Sequence, residues 1–271
     1  WVTDCGLRLG LLIAPVTKAS NVLQLGSGDW PPYTQNVPGN YGLVTELVEA
    51  TVTQMRLLPR IQWLPWKRNE SFLSHGKIYA NFPYRKTAER SLKYDFSEPL
   101  MYTTTQLYYN KKSVTPVSFE KFSDLKGVRI GGVRGYSYIG DFQAGGAQLT
   151  MVNSDLQLVK LLISNRVNFA ALDSFGGFSL LNDLTQLKSF EIGMIAKPLY
   201  QKSPSRLMVS RHYPNYKQLL RHFNRALLCI KENGIYQKIV LKHAPNPQLY
   251  RQLTGLEVKK SMNNPSSISC H

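Results

Sequence analysis

The apolar positions of this chain change period several times, and each change marks an element. VLQLGS (22–27) is a short apolar run that predicts a buried strand. GLVTELVEATVTQM (42–55) then places Val44, Leu47, Val48, Thr51, Val52 and Met55 at helical spacing. RIQWLPW (60–66) predicts a second strand, NESFLSHG (69–76) a short helix stopped by Gly76, and KIYANFPY (77–84) a third strand running into a loop. Three strands separated by two helices imply a mostly parallel sheet. The plan then repeats. GVRIGGV (127–133), LTMVNS (149–154) and VNFAALDS (167–174) read as strands, with a helix start in GYSYIGDFQ (135–143) and a helix over DLQLVKLLISNR (155–166). Ligands in such sheets bind outside the carboxyl ends of the strands.

Between the repeats, LMYTTTQLYYNKKSV (100–114) is rich in Thr and Tyr and predicts an extended crossing strand. FEIGMIAKPLY (190–200) and PSRLMVSR (204–211) form a second extended pair. Helices are expected over 216–234 and 235–243, with Gly234 interrupting them, and they would pack back on the first half. Most of residues 244–271, rich in Pro, Asn and Ser, reads as a loosely held tail. At the other end, Leu9 to Val16 followed by Thr17-Lys18-Ala19 resembles a signal-peptide core and cleavage site, so residues 1–20 read as an export signal.

Composition narrows the field. With 43% hydrophobic residues the chain can bury a substantial core. A formal charge of +16 favours anionic partners, yet the basic residues are scattered singly or in pairs, and no predicted helix carries the continuous basic stripe of a DNA reader. Cys5, Cys229 and Cys270 form no C-x-x-C, and Cys5 would leave with the signal. Cys229 either pairs with Cys270 in an oxidising compartment or stays a buried free thiol. Histidine spacing gives no metal site. Gly26-Ser27-Gly28 begins a dinucleotide-type turn, but Pro31 falls where its third Gly belongs.

TAERSLKYDFSEPLMY (87–102) is the most informative stretch. It follows the third strand, at the cleft end of the sheet, where Thr87 and Glu89 can cap a turn that fixes Arg90. A fixed guanidinium suits a planar carboxylate. T-A-E-R followed by D-F-S-E-P-L resembles the type 2 periplasmic solute-binding proteins, and within them the polar-amino-acid receptors of ABC transporters. GDWPPYT (28–34), Tyr41-Gly42-Leu43, the Trp66 region, L-K-G-V-R-I-G-G-V-R-G-Y-S-Y and N-F-A-A-L-D carry the resemblance across residues 22–243.

The resemblance implies a two-lobed α/β clamshell, each lobe a mixed, mostly parallel sheet flanked by helices, joined by two hinge strands. Lobe 1 would take residues 21–105 and 205–243, and lobe 2 residues 106–204. Arg90 would hold a ligand carboxylate, Trp30 would stack on the ligand beside Tyr33, Ser137 would donate to the carboxylate, and Asp173 would take an ammonium. Each has a plainer reading: Arg90 a surface ion pair, Trp30 core, and Ser137 and Asp173 helix caps. Asn81-Phe82-Pro83-Tyr84-Arg85 is shorter than the family's stretch before the arginine, and Tyr79 stands where the family has Asp. Trp66, Phe82, Tyr84 and Tyr136 would make the pocket bulkier and more aromatic, suiting an aromatic or cationic ligand. The expected protein is a periplasmic monomer without cofactor, metal or enzymatic activity, serving an ABC-transporter permease. The fold also resembles sensor modules and periplasmic dehydratases, which stand as alternatives.

Overall fold

The computed structural model describes residues 21–185, 190–244 and 246–257. The expected export signal, the last fourteen residues, Cys5 and Cys270 lie outside them. The first half runs β1 (Val22–Ser27), α1 (Leu43–Gln54), β2 (Leu58–Trp63), α2 (Trp66–Ser74), β3 (Ala80–Arg85), α3 (Ala88–Lys93) and β4 (Tyr94–Phe96). A long strand β5 (Met101–Asn110) leads to β6 (Arg129–Val133), α4 (Tyr138–Ala144), β7 (Gln148–Val152), α5 (Asp155–Ile163), β8 (Phe169–Asp173) and α6 (Gly176–Thr185). The chain returns through β9 (Ile192–Met194) and β10 (Tyr200–Ser210) to α7 (Tyr216–Glu232), α8 (Ile235–His243) and α9 (Pro247–Thr254).

The sheet order is β2-β1-β3-β10-β5-β8-β6-β7. β1 lies parallel to β2 and β3, β6 lies parallel to β7 and β8, and the two groups meet through the antiparallel pair β5 and β10. These are the two crossing strands expected from 100–114 and 190–211. The buried apolar side chains divide accordingly. One set draws on residues 23–101 and 207–253, the other on residues 107–199. Each half therefore has its own core, and the cleft between them sits at the carboxyl ends of β1, β3, β6 and β8.

Local sequence explains how these ends are placed. Gly42 precedes α1 at φ 92, and a Cβ there would meet the Tyr33 carbonyl at 2.7 Å, so only glycine lets the GDWPPYT loop close over this helix. Leu43 and Val44 donate backbone N–H bonds to Pro32 and Tyr33, which ties the loop to α1. Thr87 caps α3, its hydroxyl accepting from the Arg90 N–H at 3.2 Å. Ser154 caps α5 by accepting from Gln157.

One boundary departs from the expected layout. The expected loose tail from 244 contains α9, capped by Asn246 with Pro247 in its first turn. Tyr250 and Leu253 are buried in the first core, so packing holds this segment down. Cys229 is disulfide-bonded, so the free-thiol reading of that residue does not hold. Among the described residues no helix is long and apolar enough to cross a membrane.

Candidate functional site

GDWPPYT leaves the end of β1 and folds on itself. The Trp30 N–H donates to the Thr34 carbonyl at 2.7 Å, and Tyr33 and Thr34 donate back to the Trp30 carbonyl. Asp29 accepts from the Asn36 N–H at 2.9 Å, so this carboxylate serves the turn. Trp30 is half-buried, and its ring meets Tyr33 at 4.5 Å and Tyr136 of the opposite half at 6.3 Å. The loop also touches α6 across the cleft. A Cβ on Gly176 would lie 2.7 Å from the Pro31 carbonyl oxygen, so any larger residue would push the halves apart.

Asp173 ends β8 and is only 5% exposed. Its Oδ1 accepts from the Tyr33 hydroxyl at 2.6 Å and from the N–H groups of Phe175 at 3.0 Å and Gly176 at 2.9 Å. Oδ2 is buried without a partner. The carboxylate therefore caps the start of α6 with one oxygen and leaves the other unmet. Burial raises its pKa, while Tyr33 and the backbone donors oppose that shift. A positive group brought to Oδ2 would relieve the cost of burying this charge.

Asp155, at the start of α5, forms a second acid beside the first. It accepts from the Tyr136 hydroxyl at 3.2 Å. The Trp30 indole N–H and Asp155 Oδ1 are both buried, and neither makes a hydrogen bond of ordinary geometry. They are close enough for the indole to favour the ionised carboxyl. Desolvation, reinforced by the charge of Asp173, still carries the Asp155 pKa up to about 7.

The other side of the cleft holds two arginines whose donors are largely taken. Arg90, with a side chain 12% exposed, gives Nη1–H to the Arg85 carbonyl at 3.0 Å. Its Nη2 donates to the Gly135 carbonyl at 2.9 Å and reaches Glu70 at 3.4 Å. The guanidinium also lies 4.8 Å from the centre of the Tyr84 ring. Arg85 crosses between the halves, donating from Nε to Ser137 Oγ at 2.9 Å and from Nη2 to Asp141 at 3.3 Å while lying 3.5 Å over the Tyr200 ring. Tyr200 in turn donates to Asp141. Ser137 makes no capping bond to α4; its hydroxyl accepts from Arg85.

These groups enclose an inner cavity of about 80 Å³. Trp30, Trp66, Tyr84 and Tyr136 give it aromatic walls, Asp173 an acid, and Arg85, Arg90 and Ser137 its polar edge. Trp66 is 7% exposed and packs edge-on against Tyr84 and Tyr136 at 5.7 and 6.3 Å. Of the residues expected at the site, Phe82 and Tyr33 are not on the lining of this cavity. Phe82 is fully buried in the first core with Ala80, two residues before it, and the register shift between Asn81 and Tyr84 in the β3–β10 pairing leaves only Tyr84 of the two on the cavity. Tyr33 is buried behind Asp173, which it holds by its hydroxyl. Tyr79 is also buried, against Tyr213.

The sequence reading missed the floor of the cavity: Thr103 and Thr105 of β5, with Ser203 and Ser205 of β10. Their spacing of two puts each pair on one face of its strand, which was a usable signal. Arg85 and Asp155 were also missed, being charged residues without a motif of their own.

Two cores on opposite sides of a cleft, a buried half-satisfied carboxylate within it and two hinge strands behind it define a clamshell binding protein. The chain belongs to the bacterial extracellular solute-binding proteins, family 3, whose model matches residues 24–246. Comparison with curated proteins returns no match. Among solved structures, the chain is similar to a histidine kinase sensor domain resembling periplasmic binding proteins, at 18% identity and TM-score 0.71 over 82% of this chain and 96% of that one. It is similar to an ancestral arginine-binding protein bound to arginine, at 20% identity and TM-score 0.69 over 82% and 97%. The substrate-binding protein of an amino acid ABC transporter aligns at 21% identity and TM-score 0.67 over 83% and 100%. At these identities the likeness establishes the fold.

Proposed function

We propose that this protein is an exported receptor that captures a small amino-acid-like solute in the cleft and delivers it to an ABC-transporter permease. The observation that carries the reading is Asp173 Oδ2, a buried and unpartnered carboxylate oxygen on the wall of an interlobe cavity. Such a group is costly unless a cation arrives, and an ammonium or guanidinium within aromatic walls supplies one. Trp30, Trp66, Tyr84 and Tyr136 form those walls, and Arg90, whose Nη2 hydrogens are committed to Gly135 and Glu70, stands at the polar edge of the cavity. Amino-acid-binding relatives of the same fold support the reading.

Binding would close the hinge at β5 and β10, because the ligand touches Trp30 on one half and Asp173 on the other only when they meet. The protein acts by binding and carries out no chemistry. A thermal-shift screen against amino acids, opines, polyamines and organic acids tests this. A solute at 100 times its Kd should stabilise the fold by about 2.7 kcal/mol; no shift with any cationic or zwitterionic solute would overturn the reading.

The likeness to a kinase sensor domain supports a second role, in which the same ligand-driven closure is read by a signalling partner. Uptake assays separate the two. A receptor for transport is required for solute accumulation in cells, whereas a sensor module is not.

A further inference from the structure

The inner cavity adjoins a larger one. About 80 Å³ is well below the roughly 300–1,000 Å³ of ordinary small-molecule sites, whereas the outer cleft, at about 830 Å³, falls within that range. The two share Arg90, Gly135, Tyr136 and Ser137 on their linings, and the bond from Arg90 Nη2 to the Gly135 carbonyl lies at that shared wall, so a solute reaching from Asp173 to the outer cleft would take the place of this bond. Asp173 lines only the inner part; Lys67, Lys93 and Arg134 line only the outer part.

The charges along this space are unevenly satisfied. At the inner end Asp173 Oδ2 has no partner. In the middle, Arg90 presents no free fork. Both planar forks of a guanidinium use Nη2, and here the Nη2 hydrogens go to Gly135 and Glu70. Towards the outside, Lys67 is paired with Glu70, and Asp141 is held by Arg85 and Tyr200. Lys93 and Arg134 take part in no ion pair among the described residues, and Arg134 gives one Nη1–H to the Met151 carbonyl. Glu89, on the same rim as Lys93, is the acid left without an ion pair there. Asp173 is thus the unmet acid of the inner part, while the outer cleft holds two unpaired cations, Lys93 and Arg134, against one unpaired acid, Glu89, among the described residues.

We infer that the solute is elongated, with its positive group at Asp173 and its negative group in the outer cleft by Lys93 and Arg134. Its charges are then further apart than the ammonium and carboxylate of a single α-amino acid. A short peptide with a free amino end and an acidic second residue has this chemistry: once the cleft widens, its first residue lies among the aromatic walls, and its amide N–H takes the place of Arg90 at the Gly135 carbonyl. The inference rests on the solute-receptor reading and adds the length and polarity of the solute.

Calorimetry on the full chain with free Arg, Tyr and Ala, and with the dipeptides of each carrying Glu or Lys second, tests it. At least one Glu dipeptide should bind 10-fold or more tighter than its free amino acid and than its Lys counterpart. The K93E/R134E double variant, altered at two exposed positions, should erase or reverse the preference for Glu over Lys. Equal or tighter binding of the free amino acids, a Glu preference that survives in the double variant, or no binding of any dipeptide would each overturn the inference. Binding of free amino acids alone would leave the receptor reading intact, so the two ideas fail separately.

Discussion

The two sides of the cleft are built from the same kinds of polar group and are left in opposite states. On the β8 side, Tyr33, Phe175 and Gly176 satisfy one oxygen of Asp173 and leave the other bare. On the β3 side, Arg85 and Arg90 give their donors to Ser137, Asp141, Glu70 and two backbone carbonyls. The contacts from Arg85 to Ser137 and from Arg90 to Gly135 span the cleft, so the arginines close the molecule on itself. A ligand gains most where a buried charge lacks a partner and less where it must displace bonds already made. On the proposed function, affinity therefore originates at Asp173, and the arginines control how readily the cleft opens.

Asp173→Asn breaks the comparison most directly. Asn still caps α6 and still accepts from Tyr33, so the fold persists while the charge is lost. Calorimetry should show affinity falling about 100-fold, near 2.8 kcal/mol at about 1.4 kcal/mol per decade. Trp30→Ala comes next, with a loss of about 10-fold as one cation-binding face disappears. In a variant keeping Trp30 as its only tryptophan, ligand should change the fluorescence. Arg85→Ala acts on the other side. It removes the bonds to Ser137 and Asp141 and the stack on Tyr200, so small-angle scattering should show a larger unliganded radius while affinity changes by less than about 10-fold.

The smallest effect concerns pH. The Asp155 pKa is raised to about 7 in the fold, against about 3.9 for a free Asp. Between those values the folded protein keeps a proton that the unfolded chain has released, so stability falls as pH rises from about 4 to 7 and levels off above. Asp155→Asn removes that fall. Denaturation should find the variant more stable than the parent at pH 8 by at least about 1.4 kcal/mol, with the difference shrinking towards pH 4.

Much of this fold was legible in the residues. β1 was read residue for residue, and α1, α7 and α8 within two residues of their ends, because a strong apolar period and a glycine or asparagine mark each. The expected strand at 60–66 stops at Trp63, since Pro65 sets the entry to α2 and makes Trp66 its first residue. α9 was hidden by its composition, although Asn246-Pro247 ahead of Tyr250 and Leu253 is a helix start with an apolar face.

The site was legible in part. Asp173 and Trp30 stand at strand ends, where a motif can find them. Arg85 and Asp155 gain meaning only from partners 52 to 56 and 19 residues away, a relation no local pattern carries. Phe82 misled because a bulge, invisible in sequence, resets which side chains face the cleft.

The proposed function stands on a positive group of the solute meeting Asp173. Calorimetric titration with the tightest solute from the screen, and with the same solute acetylated on its amino group, tests it most directly. Loss of the charge should weaken binding about 100-fold in the parent protein and leave Asp173→Asn almost unaffected by the change. Equal affinity of the two forms for the parent protein would contradict the claim.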